Sequence, residues 1–189
     1  MQTTITAHSH PSPHCDDRPQ GDQPSLIVLH AISLPPGEFG TAAVRDLFLG
    51  SLDCSRDIRL AELEQQRLSA HTLIDRHGDI MQFVPLHRRA WHAGVSCWRK
   101  RSACNDFSIG IEMIGDETTP FTNEQYRTCA ALCHTIMRHF TAITTDAIVG
   151  HQDIAPGRKW DPGKQWRWAH FEKLLNSSST LPTISGLEW

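Results

Sequence analysis

Short apolar runs, several of them rich in β-branched residues, are separated by polar and turn-forming segments along the chain. This pattern is typical of buried strands, which it predicts at 25–30, 69–75, 79–85, 107–115 and 146–151. Arg76, His77 and Gly78 join the second and third runs, and they predict a hairpin because glycine tolerates a positive φ. The run at 107–115 alternates as a central strand does.

Apolar residues at helical spacing occur between these runs. Helices are predicted at 42–50, at 60–66, at 166–175 and in a longer segment that follows Thr122. Thr122 and Gln125 form a T-x-x-Q capping box at the start of that segment. Its apolar face consists of Tyr126, Cys129, Ala130, Cys133, Ile136, Met137 and Phe140. Because strands and helices mix without strict alternation, we predict an α/β (α+β) fold with a central mixed β-sheet flanked by helices.

The chain has 189 residues, the size of one domain. The periodic segments predict that this domain spans residues 25–175. Residues 1–24 have no periodicity and predict an irregular lead-in packed on the domain, and 176–189 predict a loose tail. The Pro- and Gly-containing segment 152–165 predicts a loop.

Charge and cysteine content narrow the classes of function. The net charge of −3 and the pI near 6.4 argue against a nucleic-acid partner, and no apolar run is long enough for a membrane span. The N-terminus has no basic start followed by an apolar stretch, so we predict no signal peptide and a cytoplasmic location. Six cysteines without a C-x-x-C pair predict free thiols. We expect a monomer.

Three predicted strands contain or lead into a side chain that a plain apolar core would exclude, namely His30, Glu112 and His151. Lys159 and Asp161 follow in the predicted loop. Two imidazoles, one carboxylate and an open fourth position suit catalytic zinc, and a spare glutamate could then accept a proton. Each histidine alone is compatible with a structural role. Glu112 and Lys159 are also compatible with a buried ion pair that holds the strand to the loop.

Five segments occur in an order that resembles AmpD-type N-acetylmuramoyl-L-alanine amidases, whose superfamily includes phage lysozyme-like amidases and animal peptidoglycan recognition proteins. They are HAISLPPGEFG (30–40), RLSAHTLI (67–74), RAWHAGVS (89–96), CNDFSIGIE (104–112) and GHQDIAPGRKWDPG (150–163). SPHCDDRP (12–19) extends the resemblance to roughly residues 11–175. The resemblance implies a peptidoglycan-recognition-like fold with its metal site at the strand ends.

The resemblance also implies the role of each site residue. His30, His151 and Asp161 match the ligands of one Zn²⁺ per chain. Glu112 matches the general base toward the attacking water, and Lys159 matches the cation that stabilises the oxyanion. The positions that match the family's substrate groove are Arg67, Trp91, His92 and Asn105.

The activity implied is hydrolysis of the amide between N-acetylmuramic acid, in its 1,6-anhydro form, and the L-alanine of a small soluble muropeptide during cytosolic peptidoglycan recycling. Two alternatives stay open: a muropeptide-binding protein without catalysis, and an amidase of polymeric peptidoglycan. The chain departs from the family pattern at Ala31, where we expect Asn, and at Ala103, where we expect Arg. Because both departures remove a polar side chain, we expect weaker selection for the anhydro sugar or for the free carboxylate of the peptide.

Overall fold

One mixed sheet organises the described residues, which are 3–177 and 180–189 of this computed structural model. Seven strands of this part of the chain lie in the order β10-β3-β9-β4-β5-β1-β11. Their bounds are Thr4–Ser9 (β1), Leu26–Ile32 (β3), Thr72–Ile74 (β4), Ile80–Gln82 (β5), Ser108–Ile114 (β9), Ile148–Gly150 (β10) and Thr183–Ser185 (β11). The β4–β5 pair is antiparallel and the other pairs are parallel. The predicted mixed sheet is confirmed.

Two short antiparallel ribbons and a set of helices complete the fold. The ribbons pair Cys15–Asp16 (β2) with Arg89–Ala90 (β6), and Cys97–Trp98 (β7) with Arg101–Ser102 (β8). The α-helices are Ala42–Phe48 (α1), Asn123–His139 (α2), His151–Ile154 (α3) and Trp168–Asn176 (α4). Short 3₁₀ helices span Cys54–Arg56, Ile58–Leu63, Cys104–Asp106 and Thr145–Ala147. None of the helices in the described ranges has the length and apolar character needed to cross a membrane.

The sheet separates two apolar cores. Helices α2 and α4 pack in the larger core on one face, and α1 packs in the smaller core on the other. Adjacent residues of β9 alternate between them, because Met113 lies in the larger core and Ile114 in the smaller. Glu112, two residues before Ile114, therefore lies on the α1 side of the sheet.

Local signals are confirmed at the start of α2 and at the hairpin. The Thr122 hydroxyl accepts a hydrogen bond from the Gln125 backbone N–H at 3.1 Å, and Gln125 Oε1 accepts one from the Thr122 N–H at 3.1 Å. Gly78 turns the β4–β5 hairpin at φ +87°, where a Cβ would lie 2.7 Å from the Thr128 hydroxyl. A side chain at Gly78 would therefore meet both strain and a clash.

Two local predictions need correction. The segment predicted as a helix at 60–66 is a 3₁₀ helix over Ile58–Leu63, in which only Leu60 is buried. One buried side chain provides no apolar stripe, so packing does not stabilise an α-helix there. The predicted loop at 152–165 begins inside α3, because Gly150 N–H donates to Asp153 Oδ2 at 2.7 Å and caps that turn.

The irregular lead-in predicted for 1–24 is wrong for residues 4–9, which form β1 between β5 and β11. Its residues are mostly exposed, with Ala7 buried, so the apolar pattern is too weak to reveal a strand. Arg18 ties the following segment to the domain, because its guanidinium donates to the backbone carbonyls of Leu86, His87, Asn105, Asp106 and Ser108. Residues 1–2 lie outside the described part of the chain.

The loose tail predicted for 176–189 is also wrong. Residues Thr183–Ser185 (β11) close the sheet edge beside β1, and Leu181 and Ile184 are buried in the larger core. The Gln82 side chain donates to the Glu188 carbonyl at 2.7 Å and accepts from its N–H at 2.8 Å. Long-range pairing, which a short segment does not encode, orders this end. Residues 178–179 of the predicted tail lie outside the described residues.

Candidate metal centre and active site

The register of three neighbouring parallel strands places the central side chains of the site in a row. His30 of β3 is level with Glu112 of β9, and Gly150 at the end of β10 is level with Leu29. The residue after Gly150 is His151, which therefore lies beside His30. Because parallel strands end at the same sheet edge, residues far apart in the chain meet there.

His30, His151 and Asp161 form a buried cluster of three potential metal ligands. His30 Nδ1 lies 3.0 Å from His151 Nδ1, and each of these nitrogens lies 3.1 Å from Asp161 Oδ2. Ligands of tetrahedral zinc, at bonds of about 2.0–2.1 Å, lie about 3.3 Å from one another. The cluster therefore has nearly the spacing of three corners of a zinc tetrahedron.

The outer nitrogens of both imidazoles also have partners. His151 Nε2 donates to the Ala93 carbonyl at 3.1 Å, and His30 Nε2 lies 2.9 Å from His92 Nδ1. Because a carbonyl oxygen only accepts, the neutral His151 ring carries its proton on Nε2 and directs the Nδ1 lone pair into the cluster. Histidine ligands of metals are commonly held in this way.

Asp161 is held in the cluster by the backbone around it. Its carbonyl accepts a hydrogen bond from the Gln152 N–H at 2.9 Å, at the first turn of α3. A Cβ on Gly150 would lie 2.8 Å from Pro162 Cδ and 3.4 Å from the Asp161 carbonyl oxygen. Glycine at position 150 therefore allows the 161–162 segment to approach the end of β10.

Burial and neighbouring groups shift the pKa values of His30 and Asp161. Burial lowers the pKa of His30 to about 4, so its imidazole is neutral at physiological pH, as a metal ligand must be. Burial alone would raise the pKa of Asp161, but the adjacent imidazoles of His151 and His30 hold that pKa below its ordinary value. The cluster thus offers the neutral imidazole of His30, the Nδ1 of His151 and one carboxylate.

Glu112 lies next to the cluster without being part of it. Its Oε1 is 3.9 Å from His30 Nδ1, and its buried Oε2 has no hydrogen-bond partner in the described residues. Burial, and then the negative charge of Asp161, raise the pKa of Glu112 well above its ordinary value, while Lys159 opposes this rise. An orphaned buried carboxylate oxygen is costly unless a ligand or reactant uses it.

Lys159 faces the same cavity as Glu112 but does not bond to it. Within the described residues, no ion pair joins their side chains, and Lys159 is exposed. The exposed Lys159 side chain can therefore contact a ligand in the cavity. This geometry does not support the buried ion pair that the sequence left open.

The cluster opens into a cavity of ≈ 220 Å³. Trp91 and Trp160 line it together with Glu112 and Lys159. The Trp91 indole N–H donates to Asp16 Oδ1 at 3.1 Å, so the segment predicted as a lead-in supports the cavity wall. Neither the contribution of Asp16 nor that of Trp160 was predicted from the sequence.

The four predicted substrate contacts occupy different places. Trp91 lines the cavity into which the ligand cluster opens, whereas Arg67 is exposed and lines a neighbouring polar cavity of ≈ 470 Å³. His92 is buried behind His30, and Asn105 Oδ1 accepts the backbone N–H groups of His92 and Ala93. The structure therefore brings only Trp91 and His92 together with the metal cluster in one cavity.

The two departures from the family pattern also occupy different places. Ala31 follows His30 on β3 and lines the cavity, so a polar side chain is missing from its wall. Ala103 is exposed at φ +59°, before the 3₁₀ helix Cys104–Asp106. The nearby Arg99 and Arg101 form ion pairs with Asp146 and Asp22.

Taken together, a buried metal-ligand set, a spare carboxylate and an available ammonium group are suited to metal-assisted hydrolysis of an amide. The fold and site thus define a metallohydrolase-type centre at the carboxyl ends of parallel strands. Comparison with known proteins agrees with this class. The sequence profile of the N-acetylmuramoyl-L-alanine amidase family matches residues 20–164, and the chain belongs to that family.

Individual relatives match over nearly the whole chain. The chain is 48% identical over 175 residues to the 1,6-anhydro-N-acetylmuramyl-L-alanine amidase AmpD of Enterobacter cloacae, with 93% of each chain covered. A crystal structure of a selenomethionine AmpD derivative superposes with a TM-score of 0.87 at 47% identity, covering 89% of this chain and 94% of that one. AmpDh3 of Pseudomonas aeruginosa, in complex with an anhydromuramic pentapeptide, matches at TM-score 0.58 and 29% identity, covering 82% and 61%.

Proposed function

We propose that the protein is a zinc-dependent amidase that cleaves the bond between 1,6-anhydro-N-acetylmuramic acid and the L-alanine of a soluble muropeptide. The observation that carries the proposal is the cluster of His30 Nδ1, His151 Nδ1 and Asp161 Oδ2, whose atoms lie 3.0–3.1 Å apart. Two nitrogen ligands and one oxygen ligand fit one zinc ion and leave a fourth position for reactants. When bound, zinc supplies a Lewis acid that polarises the scissile carbonyl and makes water more acidic.

Glu112 accepts the proton of the attacking water in this proposal. Its orphaned Oε2 provides the acceptor, and its placement beside His30 keeps it close to the ligand cluster. The same carboxyl then returns the proton to the departing amine of L-alanine. Lys159 faces the developing oxyanion and stabilises its charge from the open side of the cavity.

The substrate assignment rests on the relatives and on the cavity. The Enterobacter relative is named for the 1,6-anhydro-N-acetylmuramyl-L-alanine bond, and the Pseudomonas structure contains an anhydromuramic pentapeptide. Trp91 and Trp160 give the cavity aromatic walls suited to a sugar and a peptide backbone, and Arg67 lies in the adjoining cavity that shares Leu47 and Leu63 with it. We therefore retain Arg67, Trp91, His92 and Asn105 as proposed contributors to substrate binding.

We also propose that the enzyme acts as a monomer in the cytoplasm, in peptidoglycan recycling. All six cysteines are free, including the exposed Cys97, and thiols persist in a reducing compartment. Size-exclusion chromatography with light scattering checks the oligomeric state.

The direct test is product analysis with the zinc-loaded protein. We expect mass spectrometry to detect free stem peptide and anhydro-N-acetylmuramic acid from purified anhydromuropeptide, and Asp161→Ala to release neither. Reducing-end muropeptide and polymeric peptidoglycan are incubated in parallel. Their cleavage measures how strictly the enzyme selects the anhydro sugar, given that Ala31 and Ala103 depart from the family pattern. Binding of anhydromuropeptide without cleavage would support a muropeptide-binding protein without catalysis. Digestion of the polymer alone would support an amidase of polymeric peptidoglycan.

A further inference from the structure

One two-residue segment, His92–Ala93, contacts both histidines of the metal cluster from behind. His92 Nδ1 lies 2.9 Å from His30 Nε2, and the Ala93 carbonyl accepts from His151 Nε2 at 3.1 Å. The outer nitrogens of the two imidazoles therefore depend on adjacent residues of the same loop. A shift of that loop would rotate both rings.

The position of this segment is fixed on two sides. Asn105 Oδ1 accepts the backbone N–H of His92 at 3.1 Å and that of Ala93 at 2.8 Å. On the other side the His92 ring packs on Gly110 of β9, where a Cβ would lie 2.5 Å from His92 Cγ. Asn105 holds the backbone, and the glycine provides space for the ring.

The hydrogen bonds of His92 form a chain that ends on β9. His92 Nε2 lies 3.2 Å from Ser108 Oγ, a buried hydroxyl oxygen that can accept a hydrogen bond. If His92 Nε2–H donates to Ser108, His92 Nδ1 is free to accept from His30 Nε2–H. His30 Nδ1 then directs a lone pair into the cluster, as His151 Nδ1 does. This is the tautomer that a metal ligand requires.

We propose that His92 and Asn105 are positioning residues for the metal ligands. The chain Ser108–His92–His30 fixes the tautomer and ring orientation of His30, and Asn105 places the Ala93 carbonyl that does the same for His151. The proposal rests on zinc binding as proposed above. It assigns His92 and Asn105 a role beyond that of substrate contacts.

An isosteric pair of variants separates these roles. Leucine and asparagine have nearly the same shape, but only asparagine keeps an acceptor near the position of His92 Nδ1. We expect His92→Leu to bind zinc about 10–100-fold more weakly in a chelator competition. His92→Asn should recover part of this loss. With cobalt in place of zinc, the visible spectrum of His92→Leu should change while that of His92→Asn stays closer to the wild type.

The control is His170→Leu, which removes a half-buried imidazole that packs on Tyr126, away from His92 and the three ligands. We expect it to lower the melting temperature of the metal-free protein without changing zinc affinity. If His92→Leu does not fold, Ser108→Ala replaces it, since it removes the far end of the chain with little change in volume, and weaker zinc binding is again expected.

The outcomes also separate this inference from the proposed function. A wild-type protein that binds no zinc contradicts the proposed function. The positioning role is overturned if the wild type binds stoichiometric zinc and His92→Leu binds zinc with unchanged affinity. Where Ser108→Ala replaces His92→Leu, unchanged zinc affinity in Ser108→Ala has the same meaning. An equal loss of affinity in His170→Leu overturns the positioning role as well. A rise in KM with unaltered zinc affinity would assign His92 to the substrate instead.

Discussion

Glu112 and Lys159 line one cavity without forming an ion pair with each other. Replacing either residue by alanine should therefore reduce turnover and not stability. We expect Glu112→Ala to keep its zinc and its melting temperature but to lose about 10²–10⁴-fold in turnover, because a general base is removed. Lys159→Ala should lose about 10²–10³-fold through weaker stabilisation of the oxyanion. Turnover, metal content and thermal melts measure these effects together.

The opposite outcome has a distinct signature. If Glu112 and Lys159 formed a buried ion pair, each single variant would lose about 3–5 kcal/mol of stability, because one charge would stay buried without a partner. Lower melting temperatures in both variants would therefore indicate that Glu112 and Lys159 form a structural ion pair. His77→Ala, at an exposed turn position, is the control for handling and metal loading.

His71 is a buried histidine whose two nitrogens are bound as in a neutral ring. Its Nδ1 accepts from the Gly110 N–H at 2.9 Å, and its Nε2 donates to the Arg88 carbonyl at 3.0 Å. Burial, followed by the positive charge of Arg18, lowers the pKa of His71 from 6.5 to about 3. Between these two values the unfolded chain binds a proton that the folded protein does not.

The free energy of unfolding should therefore fall as the pH falls from 6.5 toward 3. The contribution of His71 has a slope of up to about 1.4 kcal/mol per pH unit. Urea unfolding at several pH values in this window measures it. We expect His71→Asn to show a shallower pH dependence than the wild type, and parallel curves for the two proteins would contradict the assignment.

At the scale of elements, the segment after β1 is attached to the domain through Arg18. Its half-buried guanidinium donates to five backbone carbonyls, and a shorter or single-point cation cannot reach them all. We expect Arg18→Ala to lower the free energy of unfolding by about 3 kcal/mol, because five carbonyls, including those of the buried Leu86 and Ser108, lose this donor. Arg18→Lys should recover little of it.

The matched control is Arg99→Ala, which removes an exposed ion pair with Asp146. Exposed pairs contribute about 0–1 kcal/mol, so this variant should unfold close to the wild type. Chemical denaturation of the three variants provides the comparison. Equal losses for Arg18→Ala and Arg99→Ala would show that the carbonyl contacts of Arg18 contribute no special stability.

At the scale of the whole molecule, the cluster of His30, His151 and Asp161 joins β3, the first residue of α3 and the loop after α3. A ligand that binds only the folded state stabilises it, by about 2.7 kcal/mol at one hundred times its Kd. For a chain of this size we expect zinc to raise the melting temperature by about 5 °C or more and a chelator to reverse the rise.

The ligand variants test where this stabilisation arises. His151→Ala and Asp161→Ala should lose zinc, activity and the zinc-dependent rise in melting temperature together, because two remaining ligands bind metal much more weakly. Elemental analysis and paired melts with and without zinc measure this. Stoichiometric zinc in either variant would refute the ligand assignment.

The sequence by itself determined the features that local chemistry encodes. β-branched runs predicted β3, β9 and β10, the Thr122 capping box predicted the start of α2, and an unexplained carboxylate in an apolar strand drew attention to Glu112. The ordered motifs predicted His30, His151 and Asp161 as metal ligands, and the structure brings these three residues together in one cluster. These signals depend on periodicity, turn chemistry and residue type, which are all visible within a short window.

Only the tertiary structure decided what depends on partners distant in the chain. Strand β1 pairs with β11 across almost the full length of the sequence, and neither segment has an apolar pattern strong enough to predict a strand. The same holds for the Ala93 carbonyl and for Ser108, whose contacts with the histidines exist because the sheet brings β9 and the 92–93 segment together. Hydrogen bonds between remote segments carry no local pattern, because their geometry is set by the packing of the whole fold.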